Sequence, residues 1–220
     1  VVTPRIGKPV EIQALWINAL SVGYDLIPNG EKLFERAFQS FQDRFWNPEK
    51  DCLYDVVDAD HQPGTVEDAI RPNQLFAAGG LPLSLLDKDR ARQVVDVVEQ
   101  HLYTPLGLRS LAPENPDYRG TYIGGVWDRD GAYHQGTVWC WLIGPFVEAW
   151  VRVRGNTPEV QQEAREKFLT PLTAHLKTAG LGHISEIADG DPPHTPRGCP
   201  FQAWSLGEYL RLNCKVLKSS

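Results

Sequence analysis

The chain has 220 residues and a formal net charge of −6, with 22 basic against 28 acidic side chains. A mildly acidic chain without a basic block is a poor partner for nucleic acid or an anionic membrane surface, and no run approaches the roughly 18 apolar residues of a membrane-spanning helix. The length fits a single domain, which we assign to residues 1–220.

Apolar residues recur at spacings of three and four along most of the chain, which predicts helices. These faces fall within residues 12–20, 34–45, 71–79, 94–102, 138–153, 160–176 and 203–217. Strand signals are confined to residues 52–57 and 121–126, the second as one arm of a small hairpin. The pattern predicts an all-α fold of about seven helices, with less than about a tenth of the residues in strands.

Three long connections separate these helices, at residues 51–69, 103–133 and 180–199. They hold most of the glycine, proline, histidine and acidic residues. Loops longer than about 12–15 residues in a compact domain are usually functional or disordered. Since these loops are rich in Trp, Tyr, Ile and Arg, we expect them to be functional.

Cysteine usage and the amino terminus bear on the compartment. Four scattered cysteines lack the paired spacing of a metal site, which predicts reduced thiols, no disulfide framework and a cytoplasmic protein. The first residues show no apolar stretch of a secretory signal. Methionine is absent even at position 1, so either the chain is an internal or processed piece or some methionines are missing from the sequence.

The first polar and aromatic cluster is the segment from Tyr133 to Trp141. His134 and Gln135 supply donors and acceptors that match sugar hydroxyls, while Trp139 offers a flat apolar face to a pyranose ring. The alternative is structural: the tryptophans belong to the core and His134 caps a helix. Spacing alone leaves both interpretations open.

A second cluster surrounds Glu186. This carboxylate lies between Ile184 and Ile187, where partial burial suits a general base that activates water. Asp189 and Asp191 are flanked by glycine and proline and are expected to be more solvated. The alternative is an ordinary turn with a surface carboxylate. A calcium loop lacks the required spacing and the terminal glutamate.

Weaker candidates lie in two helical segments and one loop. Polar groups that could bind sugar hydroxyls lie at the start of the helix at 71–79, and further polar groups lie near Trp16 in the first helix. The loop at 127–130 fits a structural role in which ion pairs hold the loop. These side chains are Glu11, Asn18, Arg71, Asn73, Gln74 and Asp130. A purely structural role is the competing interpretation for each.

Other site classes are excluded by their missing motifs. The chain has no glycine-rich dinucleotide or phosphate loop, no Gly-x-Ser-x-Gly and no His-Glu-x-x-His. Cys199 follows His183 and His194, but it lacks the surroundings of a cysteine nucleophile. We therefore expect no metal and no cofactor.

Five of these segments, taken in order, resemble the glycogen debranching enzyme family, specifically its C-terminal amylo-α-1,6-glucosidase domain. They are Thr3–Leu20, Arg71–Gln74, Thr104–Leu111, Tyr133–Trp141 and Gly198–Ser205. The resemblance covers essentially the whole chain and implies an (α/α)6 toroid. It also implies inverting hydrolysis of α-1,6-linked glucose branches of glycogen or limit dextrin, an inverting pair being spaced so that a water fits opposite the leaving group.

The resemblance also implies the roles of individual residues. Glu186 occupies the place of the general base. The glucan-binding residues implied by the matching segments are Glu11, Trp16, Asn18, Arg71, Asn73, Gln74, Asp130, His134, Gln135, Trp139, Gln202 and Trp204. We expect most of them to converge with Glu186 on one concave face.

Several features depart from the family pattern. A complete toroid has twelve helices, and the family's general acid lies in a Gly-Arg-Asp segment upstream of the first matching motif. Asp128 and Asp130 are the fallback acids, although Arg129 beside them opposes protonation. The family's Asn and Tyr are replaced by Gln13 and Ile17.

The chain therefore resembles the C-terminal half of the domain, with an upstream half or a second copy as its partner and little activity alone. The alternative is a non-catalytic glucan-binding or interaction protein derived from that domain. A third possibility, a metal-dependent cyclase or lanthionine-synthetase-like toroid, lacks the metal ligands.

Overall fold

The computed structural model describes residues 3–217. Helices dominate it, as the apolar spacing predicts. They are α1 (Val10–Gly23), α2 (Gly30–Arg44), α3 (Leu75–Ala78), α4 (Lys88–Leu102), α5 (Val126–Tyr133), α6 (Ile143–Val153), α7 (Pro158–Ala164), α8 (Thr170–Thr178) and α9 (Ala203–Arg211). A π-helical turn at Arg165–Leu169 joins α7 to α8, and another at Leu212–Val216 extends α9.

The strands are short, each two or three residues long, and pair antiparallel in three small sheets. They are β1 (Lys8–Pro9), β2 (Trp46–Asn47), β3 (Cys52–Leu53), β4 (Val56–Val57), β5 (Val66–Glu67), β6 (Tyr103–Thr104), β7 (Gly107–Arg109), β8 (Val138–Trp139), β9 (Ile187–Ala188) and β10 (Pro196–Arg197). The orders are β1-β4-β5, β2-β3 and β10-β9-β8-β7-β6. The strand expected within residues 52–57 is found as two separate short strands, β3 and β4, which belong to different sheets.

Two expectations from the sequence are wrong. The segment after residue 121 forms no hairpin arm, because Val126–Tyr133 is helical and the Asp128 carboxylate accepts from the Gly125 N–H at 3.0 Å at its start. The helix expected over 138–153 begins only at Ile143. Its first residues instead form β8 and a 3₁₀ turn, since Val138 and Trp139 pair with β7 and β9.

The helix ends follow from local chemistry where the sequence offers caps. Asp87 precedes α4 and accepts from the backbone N–H groups of Asp89 and Arg90 at 3.0 and 2.9 Å. Thr157 caps α7 and Pro158 occupies its first turn. Both arrangements satisfy amide donors that an α-helix leaves unpaired at its start.

The core surrounds α6, which is buried along most of its length and contacts α3, α4, α7 and α9. An aromatic cluster joins it to its neighbours: the Phe168 ring meets the rings of Phe146, Trp150 and Tyr103 edge-on at 5.1–5.3 Å. Burial of each such side chain contributes roughly 1.5–3 kcal/mol. Among the described residues no helix is long and apolar enough to cross a membrane.

The five-stranded sheet is the part of the fold that positions the site. It joins segments that are far apart in sequence, so that Trp139 in β8 lies opposite Ile187 in β9. Glu186 immediately precedes β9, and its carbonyl oxygen accepts from the Cys140 N–H at 3.4 Å. The sheet thereby brings the Tyr133–Trp141 segment beside the acidic loop.

Candidate active site

An aromatic cleft of about 590 Å³ opens beside this sheet. Trp141 stacks on Phe76 at 6.3 Å and on Trp204 at 5.5 Å, and Trp204 meets Trp139 edge-on at 6.0 Å. His134 lies parallel to Trp139 at 5.2 Å. The cleft is lined by Thr3, Arg5, Glu11, Leu15, Arg71, Pro72, Asn73, Phe76, Ser110, His134, Trp139, Trp141, Leu142 and Trp204.

One wall of the cleft is an ion-pair network. Arg5 pairs with Glu11 through two hydrogen bonds of 2.5 and 2.8 Å and with the buried Asp55 at 2.7 and 2.8 Å. Arg71 lies 3.4 Å from the same Asp55 carboxylate. Burial raises the pKa of Asp55, and the hydrogen bonds from Arg5 oppose that rise. The network fixes the segment before α1 against the cleft.

Arg71 has an extended backbone and immediately precedes the 3₁₀ turn Pro72–Gln74 that leads into α3; its side chain is almost fully buried. Its guanidinium donates to the carbonyl oxygens of Ser110 and His134 at 3.0 and 2.6 Å and to the Gln135 side chain at 2.5 Å. Burial lowers the pKa of His134, with the charges of Arg71 and Arg5 acting in the same direction. A neutral imidazole therefore faces the cleft.

Glu186 is half-buried, and each of its carboxylate oxygens accepts one hydrogen bond. The Tyr133 hydroxyl donates to Oε1 at 2.5 Å, and the Cys199 N–H donates to Oε2 at 2.9 Å. Burial, followed by the bond to Glu186, raises the pKa of Tyr133. Glu186 does not itself line the cleft; the Tyr133 ring connects it to the cleft residues Trp139 and His134, at 4.7 and 5.0 Å.

The structure brings about half of the candidate binding residues to the cleft. Those that line it are Glu11, Arg71, Asn73, His134, Trp139 and Trp204. Gln135 lies directly behind, bonded to Arg71. Gln202 precedes α9, where its N–H donates to the Ile184 carbonyl oxygen at 3.1 Å.

Other candidates lie away from the cleft, which corrects the expectation of one shared face. Asn18 is buried and bridges the main chain of Ala14 and Leu83, and Gln74 is buried with its amide bonded to the main chain of Leu53 and Arg71. These amides are consumed by backbone groups. Trp16 and Asp130 are exposed on α1 and α5 and do not line the cleft.

Asp189 corrects a further expectation. It is buried rather than solvated, because it pairs with Arg197 at 2.9 Å and accepts from the Tyr122 N–H at 2.8 Å. Asp191 is exposed, as expected. Asp189 therefore serves to hold the acidic loop.

Sequence reasoning missed several residues of this region. Arg5 and Asp55 are about fifty positions apart and meet only through tertiary structure. Tyr133 lies in the Tyr133–Trp141 segment, so its position beside His134 and Gln135 was the only sign in the sequence that it belongs to the site. Among the described residues no group of three or more His, Cys, Asp or Glu side chains is arranged to hold a metal ion.

Comparison with known proteins identifies relatives of this chain in sequence and in fold. Residues 1–211 match the family model of amylo-alpha-1,6-glucosidase. The glycogen debranching enzyme of Saccharomyces cerevisiae is 27% identical over 261 aligned positions, which cover 96% of this chain and 17% of that protein.

Two solved structures from Thermus thermophilus share the fold. A GH63 mannosylglycerate hydrolase in complex with glucose has a TM-score of 0.60 and 18% identity, over 93% of this chain and 46% of that one. An uncharacterized conserved protein has the same TM-score and identity, over 93% and 45%.

This chain thus spans less than half the length of those structures and about a sixth of the curated relative. Its fold is that of the helical α/α-toroid glycosidases, and the match over residues 1–211 shows that the chain belongs to the amylo-alpha-1,6-glucosidase family of glycoside hydrolase-related domains.

Proposed function

We propose that this chain forms the C-terminal half of an amylo-α-1,6-glucosidase domain that hydrolyses α-1,6-linked glucose branches of glycogen or limit dextrin with inversion. The observation that carries the proposal is the half-buried Glu186 carboxylate, held by Tyr133 and Cys199 next to an aromatic cleft. In this proposal Glu186 is the general base. An ionised carboxylate offers about four lone-pair sites, so two donors leave it able to accept a proton from water.

The cleft has the properties of a sugar site. Its volume of about 590 Å³ lies within the range of roughly 300–1,000 Å³ for small-molecule pockets. Trp204 is about half exposed and offers a flat apolar face to a pyranose ring, while Asn73 and the neutral His134 offer both donors and acceptors for hydroxyl groups.

The general acid is not supplied by the described cleft. An inverting pair keeps its carboxyl groups about 6.5–9.5 Å apart, and among the described lining residues only Glu11 carries a carboxyl group. Both of its oxygens accept hydrogen bonds from Arg5, so in that arrangement neither oxygen is available to donate to a leaving group. Asp128 and Asp130 are exposed on α5, outside the cleft. We therefore propose that the acid comes from an upstream half.

The outward face of α1 supports such a partner. Ile12 and Trp16 are each about half exposed, although α1 already buries Ala14 and Ile17 on its other side. A helix that is apolar all round is normally buried. We propose that the helices of an upstream half cover this face. The four free thiols are compatible with a reducing compartment such as the cytoplasm.

The same cleft supports a second candidate function, glucan binding without hydrolysis, because the only cleft-lining carboxylate among the described residues is ion-paired. A single assay separates the two functions. Glucose release from a branched limit dextrin is measured for the chain alone and for the chain mixed with the upstream half of a debranching domain.

We expect release chiefly in the mixture, with the β-anomer formed first. Glu186→Gln should lower the rate about 10²–10⁴-fold, whereas Glu35→Gln, on the exposed surface of α2, should leave it unchanged. Binding of dextrin with no hydrolysis in either preparation would support the second function. Hydrolysis that survives Glu186→Gln would show that Glu186 is not the base.

A further inference from the structure

Tyr133 is held in place through both its ring and its main-chain carbonyl group. Its ring packs against Tyr122, Trp139 and His134 with centroid distances of 5.4, 4.7 and 5.0 Å. The indole N–H of Trp139 donates to the Tyr133 carbonyl oxygen at 3.0 Å. Its hydroxyl therefore reaches Glu186 from a residue that has little freedom to move.

The hydroxyl approaches a carboxylate that the main chain restrains from the other side. Oε2 of Glu186 accepts from the Cys199 N–H, while the Glu186 N–H donates to the Cys199 carbonyl oxygen at 2.8 Å. Without Tyr133, the second oxygen would lose the only side-chain donor that the described structure gives it. One donor at each oxygen defines the orientation of the carboxylate plane.

We propose that Tyr133 is a positioning residue for the general base: its hydroxyl holds Oε1 of Glu186 so that the remaining lone pairs are directed at the attacking water. The proposal rests on the proposed function. A hydrogen bond to an ionised acceptor is roughly twice as strong as a neutral one, and misplacement of a reacting group by about 1 Å can cost 10²-fold in rate.

The chemistry of a phenol suits this role. Because burial and the neighbouring carboxylate raise the pKa of Tyr133, the hydroxyl keeps its proton across the neutral range. It therefore acts as a donor and does not compete with Glu186 for the proton of the water. Histidine at this position could exchange its proton near neutral pH.

Tyr133→Phe is the direct test, since it keeps the ring and removes the hydroxyl. In the preparation that hydrolyses limit dextrin, we expect kcat to fall about 10–100-fold with little change in KM. The acidic limb of the pH–rate profile should move to higher pH, because the ionised carboxylate has lost a donor. Unchanged kcat and an unchanged profile would overturn the proposal.

Tyr118→Phe is the matched control. The Tyr118 hydroxyl also donates to a carboxylate, Asp191, at 3.0 Å, but neither residue lines the aromatic cleft. This variant should retain kcat and the pH profile. A loss equal to that of Tyr133→Phe would show that the effect belongs to tyrosine–carboxylate pairs in general and would contradict the assignment.

Two measurements need no hydrolysis. Ultraviolet titration, with the Tyr133→Phe curve subtracted, should show Tyr133 ionising above about pH 10, the value of free tyrosine, and Glu186→Gln should lower that pH. A crystal structure of Tyr133→Phe should show a reoriented Glu186 carboxylate. If Glu186 is required for hydrolysis, an unshifted titration or an unmoved carboxylate overturns the positioning role alone, whereas Glu186→Gln without effect on hydrolysis overturns the proposed function on which that role rests.

Discussion

Arg71 is tied to acceptors from three separate parts of the chain, namely Ser110, the His134–Gln135 turn and Asp55. None of these bonds belongs to the regular hydrogen bonding of a helix or a strand, so each depends on the tertiary fold. An arginine suits the place because its planar guanidinium supplies several donors in fixed directions. The Arg71 side chain thus connects the ion-pair network in the wall of the cleft to the turn that carries His134.

Arg71→Ala should destabilise the fold by about 3–5 kcal/mol, the usual cost of breaking a buried ion pair by removing one partner. It leaves Asp55 and two carbonyl oxygens with fewer donors inside the protein. Urea unfolding measures the difference. Arg129→Ala, on the exposed surface of α5, is the control and should stay within about 0.5 kcal/mol; equal effects would contradict this account of Arg71.

Gly198 gives a second prediction about Glu186. Its φ is +66°, and a Cβ there would lie 2.6 Å from the Glu186 Oε2 atom. Gly64 has a similar φ of +86° with open space around it. Alanine at either position should cost about 1–2 kcal/mol from backbone strain alone.

Only Gly198→Ala should also displace the carboxylate and reduce hydrolysis, by about 10–100-fold. The paired variants therefore separate strain from contact. The rate of hydrolysis and the free energy of unfolding are measured for both variants. Equal activity of Gly198→Ala and Gly64→Ala would show that hydrolysis tolerates displacement of the Glu186 Oε2 atom.

His175 connects two elements, α8 and the loop before β9. Its Nε2 atom accepts from the Ser185 N–H at 3.2 Å, so the ring is neutral with its proton on Nδ1. Burial lowers the pKa of His175. Because the folded chain then binds this proton less readily than the unfolded chain, stability is retained above about pH 6.5 and falls as the pH decreases through that value.

The expected result is a drop in the free energy of unfolding below about pH 6.5 that is smaller in His175→Gln. His61→Gln, at an exposed position, should keep the full pH dependence. Urea unfolding at several pH values provides the measurement. An identical slope in His175→Gln and the unmodified chain would assign the dependence to other groups.

At the scale of elements, the sequence predicts long periodic helices well and short elements poorly. The faces of α1, α2 and α4 extend over several turns, so their spacing is unambiguous. Strand β8 has two residues, too few to show alternation, and depends on partners in β7 and β9. Helix α5 is short and buries only Ala132, so it carries little apolar signal.

The candidate site divides in the same way. Residues within one continuous motif, such as His134 and Trp139, could be selected from the sequence because their neighbours suggested a sugar site. Gln74 and Asn18 could not be excluded, because only tertiary structure reveals that main-chain groups consume their amides. The pairing of Tyr133 with Glu186 spans 53 positions and leaves no local pattern.

At the scale of the molecule, α1 leaves an apolar face exposed, although folded proteins normally bury such a face. Ile12 and Trp16 are 53% and 48% exposed and lie one helical turn apart. Because each side chain is already about half buried, covering its exposed half contributes roughly 0.8–1.5 kcal/mol. Removing both contributions should weaken association with an upstream half at least about 10-fold.

The double variant Ile12→Glu and Trp16→Glu tests this expectation. It should lower glucose release by the mixture at limiting concentrations and recover it when the upstream half is in large excess, because association and not chemistry is impaired. Leu181→Glu changes a side chain that is 82% exposed in the loop after α8 and serves as the control. Sedimentation of the chain alone shows whether the same face also pairs two copies. Unimpaired association of the double variant would place the partner on another surface. A loss of glucose release that excess upstream half cannot restore would mean that the substitutions in α1 disturb the cleft itself.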